Sequence, residues 1–212
     1  MVETIFLVRH GEAESNVGDY FGGWLDVPLT PLGRQQARVL RKRLAHEGIE
    51  RVFCSDLLRA RETYEGISLG CPVEYAKELR EKSYGKLEGV RWEDSNKYDK
   101  YHLDAYARAP GGENNVDVQR RVLPYFKKKI MNAKEEKVLV VSHHGPLVVF
   151  VCDVLGMPLS NWRRLRLGNC GLCILTKEGK SWRLKLWNSL SHFGLENFKP
   201  LLKKETRKRG TP

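Results

Sequence analysis

Long hydrophobic runs are missing from this chain. A membrane-crossing helix needs roughly 18–20 apolar residues, and the longest run here, Leu147 to Cys152, ends at Asp153. The opening stretch MVETIFLVRH carries Glu3 where a secretion signal has positive charge, and its apolar core is too short for one. The expectation is a cytoplasmic protein with no membrane partner. Cysteine is also sparse. Five residues, an odd number and widely scattered, exclude a disulfide framework. Cys170 and Cys173 in NCGLCILT are the one close pair. On a strand, side chains three positions apart point to opposite faces, and no second ligand pair accompanies them. They read as small buried apolar side chains, not as a redox or zinc pair.

With 212 residues, the chain has the length of one ample domain. The net charge of +11 has two sources. Residues 199–212 hold six basic side chains and one acid, Glu205, while the rest of the excess is spread over the body. We divide the chain accordingly into a single domain, 1–198, and a basic C-terminal tail, 199–212. A basic body suits an anionic substrate. The tail is short, terminal and without interleaved aromatics, so it reads as a solvated end; nucleic acid is not the expected partner.

Four β-branched apolar segments predict buried strands: Thr4 to Val8, Arg51 to Cys54, Val138 to Ser142 and Gly171 to Thr176. A fifth, Trp182 to Trp187, alternates and should pair with the fourth across the Lys177–Lys180 turn. Helical signals lie between them. Thr30-Pro31 is a cap followed by proline at the first helical position, and Gly48 supplies a stop. Ser55-Asp56 offers a second cap, for a helix through Thr63. Val118, Val122, Phe126 and Ile130 mark a third helix, which Pro124 must kink or shorten. Pro146 to Leu155 predicts a fourth, closed by Gly156. Such alternation predicts an α/β fold: a three-layer α/β/α sandwich with a mostly parallel central sheet.

Ligands bind such sheets beyond the carboxyl ends of the strands. Arg9-His10-Gly11, Ser55-Asp56 leading to Arg59, and Ser142-His143-His144-Gly145 all sit at such ends. Arginine offers planar, bidentate donors for phosphate. Gly11 would let backbone N–H groups approach an anion, with a helix starting near Glu12 aiming its positive end there. Neutral imidazole is a competent nucleophile, and the charge of Arg9 and Arg59 should hold His10 below its ordinary pKa of ~6.5. Transfer of a phosphoryl group to His10 is the chemistry this edge suits. Hydrolysis of a phosphate monoester needs accelerations up to ~10²¹, so one nucleophile is not enough. Charge on the equatorial oxygens must be neutralised and the leaving group protonated. No strand end is rich in aspartate, so no metal is expected. For Arg59 the bland alternative is an exposed ion pair with Asp56 or Glu62; for Arg9 and His10, it is a pair satisfied by local carbonyls.

The segments LVRHGEAESN, GWLDVPLTPLGRQQA, SDLLRARET, LREKSYGKLEG and SHHGP, in this order, closely resemble the histidine phosphatase superfamily, the clan of cofactor-dependent phosphoglycerate mutases and small phosphatases. The resemblance runs from about Thr4 to Leu190 and implies the phosphoglycerate mutase-like version of the sandwich. It implies that His10 is the nucleophile, that Glu81 is the general acid, with Glu12, Glu14, Glu88 and Glu113 as alternative carboxylates near the same blocks, and that His143 is the second histidine, which stabilises the transferring group. It makes Arg9 and Arg59 phosphate-binding and places Asn16 at the pocket border. His144, read from the residues themselves, either packs or lines the pocket rim, and from the rim it is counted with the phosphate-binding set. Departures from the mutases matter. The span from Lys86 to Ala109 is short and lacks their adjacent arginine pair, and His144-Gly145 replaces their glycine-asparagine. The expectation is a phosphomonoesterase acting on a small phosphorylated metabolite, with no cofactor and with a homodimer allowed. A phosphoglycerate mutase is the alternative, and a phospho-ligand or nucleic-acid binding module without turnover the second. Trp92, Tyr98, Tyr101 and Tyr106 are expected to pack against the domain, or else to cover the site as a lid.

Overall fold

The first strand, β1 (Thr4–Arg9), is a continuous apolar run because both of its faces are covered. Ile5 and Leu7 belong to one buried cluster with Val138, Val140, Phe53 and Phe150. Phe6 and Val8 belong to another with Leu139, Val141, Ala37 and Ala60. The computed structural model, which describes residues 1–91 and 99–194, thereby shows the three layers directly. Trp92, Tyr98 and the basic tail lie outside the described residues. Among the described residues no helix is long and apolar enough to cross a membrane.

The elements alternate as expected. After β1 come α1 (Glu14–Val17), α2 (Pro31–Leu44), β2 (Arg51–Ser55), α3 (Leu58–Ile67), β3 (Val73–Ala76), α4 (Asp99–Leu103), α5 (Asn115–Tyr125), β4 (Lys137–Ser142), α6 (His144–Val154), β5 (Leu172–Glu178) and β6 (Ser181–Ser189). The sheet order is β3-β2-β4-β1-β5-β6. Strands β3, β2, β4 and β1 run parallel, while β5 and β6 are antiparallel additions on the β1 side.

Four local features differ from the sequence reading or add to it, each with a physical reason. Strand β3 has a polar, half-exposed pattern, in which Glu74 serves as a partner for Arg51 and Tyr125, so no apolar signal announces it. Helix α3 is not capped by Ser55 or Asp56. Asp26, from a distant loop, accepts the Leu58 N–H instead, and Asp56 is engaged by Arg80. Pro124 shortens its α-helix, which ends at Tyr125, yet the chain goes on as a helix of another kind. Lacking an N–H, the proline is accommodated by a π-helical turn at Phe126–Ile130. Val118, Val122, Phe126 and Ile130 thus remain buried in one cluster, with Phe126 stacked on Phe150 at 3.8 Å. Cys170 lies before β5 rather than in it, yet it and Cys173 do enter opposite clusters.

Of the described aromatics in the 92–106 stretch, Tyr101 packs beside Phe21, Tyr84 and Leu87, and its carbonyl accepts a bond from Lys82 Nζ. Tyr106 is exposed.

Candidate active site

Strand register alone brings two histidines together. Arg9 on β1 is the parallel partner of Ser142 on β4, and the His10 N–H donates to the Ser142 carbonyl. The next residues, His10 and His143, therefore leave the sheet side by side, with ring centroids 5.0 Å apart and almost no exposure. The Gly11 carbonyl lies 2.7 Å from His10 Nδ1. A carbonyl can only accept, so Nδ1 carries the hydrogen and Nε2 keeps its lone pair. His143 is tethered through Nε2 to Ser55 Oγ at 2.8 Å, while its Nδ1, also buried, has no hydrogen-bond partner. Burial, reinforced by the charge of Arg59, holds both imidazoles well below their ordinary pKa. Both rings are neutral near pH 7.

Gly11 does something other than expected. Its N–H does not face an anion; it donates to Thr63 Oγ1 on α3, whose hydroxyl donates to the Arg59 carbonyl. Glycine is needed because a Cβ there would lie 2.6 Å from the Gly33 carbonyl of α2. Helix α1 begins at Glu14 and is only a turn long. Glu12 accepts the Thr30 hydroxyl at the start of α2, a structural contact.

Arg59 is buried, and neither Asp56 nor Glu62 is its partner. Its guanidinium donates to the Leu25 carbonyl at 2.9 Å and to the Gly23 carbonyl at 2.7 Å. Burial lowers its pKa to about 10, which still leaves it charged at neutral pH. Arg9 donates to the Leu167 carbonyl at 2.7 Å. Both arginines act on the titration of both histidines, so the four side chains form one electrostatic unit.

Glu81 is linked to this group through its charge, which acts on Arg59. Its Oε1 accepts the N–H of Lys82 at 2.8 Å and that of Gly145 in the first turn of α6 at 3.0 Å. Glycine at 145 is what lets the carboxylate come this close: a Cβ there would sit 2.3 Å from Oε1 and displace it. Asn16 Oδ1 accepts the Ala13 N–H and a bond from Asn169 Nδ2. His144 points its ring edge-on to Trp162, at 5.6 Å. Several residues of this region went unnoticed in the sequence. Asn169 also donates to the His10 and Gly11 carbonyls, Ser55 tethers His143, and Thr63 links Gly11 to Arg59. Ser55 and Thr63 lie inside SDLLRARET, so their block was marked but not their contacts; nothing in RLGNCG announced Asn169.

Comparisons with known proteins assign the chain to a family. Residues 5–190 match the family model for the histidine phosphatase superfamily (branch 1). The chain belongs to that superfamily. Another protein similar to this histidine phosphatase superfamily member, from Serratia proteamaculans (strain 568), is named probable phosphoglycerate mutase GpmB. It is 36% identical over 192 residues, covering 86% of this chain and 89% of its own length. Among solved structures, a mycobacterial glucosyl-3-phosphoglycerate phosphatase aligns with a TM-score of 0.81 at 29% identity, over 89% of this chain and 100% of that one. Bacillus stearothermophilus YhfR aligns with a TM-score of 0.83 at 29% identity, over 89% of this chain and 98% of that one. The superfamily therefore accounts for nearly the whole described chain, as the five sequence blocks implied.

Proposed function

We propose that this chain is a phosphomonoesterase that hydrolyses a small phosphorylated metabolite through a phosphohistidine at His10. The observation that carries the proposal is the Gly11 carbonyl on His10 Nδ1, which leaves the Nε2 lone pair available in a ring that burial and the two arginines keep neutral. In the first step Nε2 attacks phosphorus, the P–O bond to the substrate alcohol breaks, and Glu81 gives its proton to the departing oxygen. In the second, water attacks the phosphohistidine, its proton passes to the Glu81 carboxylate, and phosphate leaves with the His10 lone pair restored. Arg9 and Arg59 hold the equatorial oxygens, and His143 Nδ1 is the remaining donor to them. The Lys82 N–H on Oε1, and the Gly145 N–H shared between Oε1 at 3.0 Å and Oε2 at 3.4 Å, fix the carboxylate for the proton transfer. Asn16, fixed by Asn169, and His144, fixed by Trp162, border the phosphate.

Hydrolysis is favoured over mutase chemistry by the short 86–109 span, which has Arg91 and Arg108 but no adjacent arginine pair for a substrate carboxylate. The structure of a mycobacterial phosphatase relative with VO3 supports an oxyanion pocket of this type. The second reading rests on the relatives named phosphoglycerate mutase. One assay separates them. The phosphatase releases free phosphate from simple phosphate esters with no bisphosphate added. A mutase interconverts phosphoglycerates, is stimulated by 2,3-bisphosphoglycerate and releases little phosphate; that result would overturn the proposal.

A further inference from the structure

The loop at residues 22–26 touches both halves of the site. Gly23 and Leu25 give their carbonyls to the Arg59 guanidinium. Asp26 accepts the N–H of Leu58, at the start of the helix that carries Arg59. Between them, Trp24 donates its indole N–H to the Glu81 carbonyl at 2.7 Å and its backbone N–H to Glu88 Oε1 at 3.0 Å. Glu88 Oε1 also accepts Ser83 Oγ and the Tyr84 N–H, both just downstream of Glu81. Consecutive residues of one short loop thus hold the phosphate-binding arginine and the backbone of the carboxylate.

Trp24 is clamped for this task rather than buried for packing. The residue is 39% exposed. Arg80, paired through two bonds with Asp56, lies over the indole at 5.1 Å, and Arg121 lies over it at 5.9 Å. Arg121 donates a second bond to the same Glu81 carbonyl, at 2.8 Å, while paired with Glu113. The loop backbone is fitted just as closely: Gly23 has φ +46°, and a Cβ there would lie 2.3 Å from the Glu88 carboxylate.

We infer that Trp24 is a positioning residue that sets the distance between a phosphate held by Arg59 and the proton donor Glu81. The inference rests on the phosphatase reading, in which the leaving oxygen must lie between those two groups. Its consequence is specific. A misplaced acid slows esters whose leaving alcohol needs a proton, and spares p-nitrophenyl phosphate, whose leaving group departs as a stable anion.

The test compares kcat/KM for glycerol phosphate and p-nitrophenyl phosphate in Trp24→Phe, which keeps an aromatic ring and removes the indole N–H. The alkyl ester should fall about tenfold, while p-nitrophenyl phosphate and vanadate affinity stay within about twofold. An equal change on both esters, or none, would overturn the inference. Should Trp24→Phe not fold, Arg121→Lys replaces it, since it keeps charge beside Glu113 and loses the guanidinium bond to Glu81; the same selective loss is expected and an equal loss refutes. Glu81→Gln runs alongside. A selective loss there without one in either other variant sinks the role of Trp24 alone, whereas an unselective Glu81→Gln defeats the proton-donor assignment and this inference with it.

Discussion

Gly145→Ala is a one-carbon change that tests the placement of Glu81. A Cβ at this position would lie 2.3 Å from Glu81 Oε1 and 3.4 Å from the carboxylate carbon. To restore ordinary contact the carboxylate must withdraw by about 1 Å, a displacement that can cost on the order of 10² in rate when it moves a reacting group. Stability responds differently. The clash is with the far end of a flexible side chain, so the backbone need not move. Losing the Gly145 N–H bond to a carboxylate costs about 1.5–3 kcal/mol, and alanine in a helix recovers up to about 1 kcal/mol. The net destabilisation should be about 1 kcal/mol, too little to unfold a domain of this size. We therefore expect kcat/KM for an alkyl phosphate to fall about a hundredfold with only a small drop in the urea midpoint. If catalytic efficiency stays within about threefold while the protein is folded, Glu81 is not positioned by this contact and the reasoning fails.

Three further outcomes follow from the geometry. Thr63→Val keeps shape but removes the hydroxyl that accepts the Gly11 N–H, leaving a buried donor unpaired; unfolding free energy should drop by about 1–3 kcal/mol, with Thr63→Ser close to the parent, as read from denaturant midpoints at unchanged m. His10 and His143 are held neutral in the fold but take up protons near pH 6.5 once unfolded, so the unfolded state binds more protons below that pH and stability falls on acidification. Going from pH 7.5 to 5.5 should cost about 1.4 kcal/mol for each of the two histidines, a loss that is reduced in His10→Asn, whereas a flat urea midpoint over that range would contradict the shifts. Activity should persist in a metal chelator, because the proposed steps use protein groups and water alone; reversible loss restored by a divalent cation would count against them.

How much could be read from the sequence depended on the range of the interactions. The strand runs at residues 4–8 and 138–142 were legible because burial on both faces makes them uniformly apolar, and their parallel pairing carries His10 and His143 to the same edge. The Thr30-Pro31 cap was legible because it is local, with Thr30 Oγ1 accepting the Gly33 N–H. What stayed hidden was long-range and polar. Asp26 caps a helix 32 residues away, Trp24 reaches Glu81 across 57, and Asn169 reaches His10 across 159. No spacing rule encodes such contacts. Arg59 shows the same limit from the other side. Asp56, just before its helix, and Glu62, on it, lie within ion-pair reach along the chain, yet tertiary packing gives those acids to Arg80 and Arg34 and turns Arg59 inward. Gly11 was singled out correctly as an unusual backbone position but for the wrong neighbour, since helix α2, rather than an anion, presses against it.

The most direct test of covalent transfer is to quench turnover of a ³²P-labelled phosphate ester in alkali, where a phosphorus–nitrogen bond survives, and to map the label by mass spectrometry. An acid-labile, alkali-stable adduct on the peptide containing His10, absent in His10→Ala, is the expected result. Turnover with no label on that peptide, or label of equal amount in His10→Ala, would contradict the account.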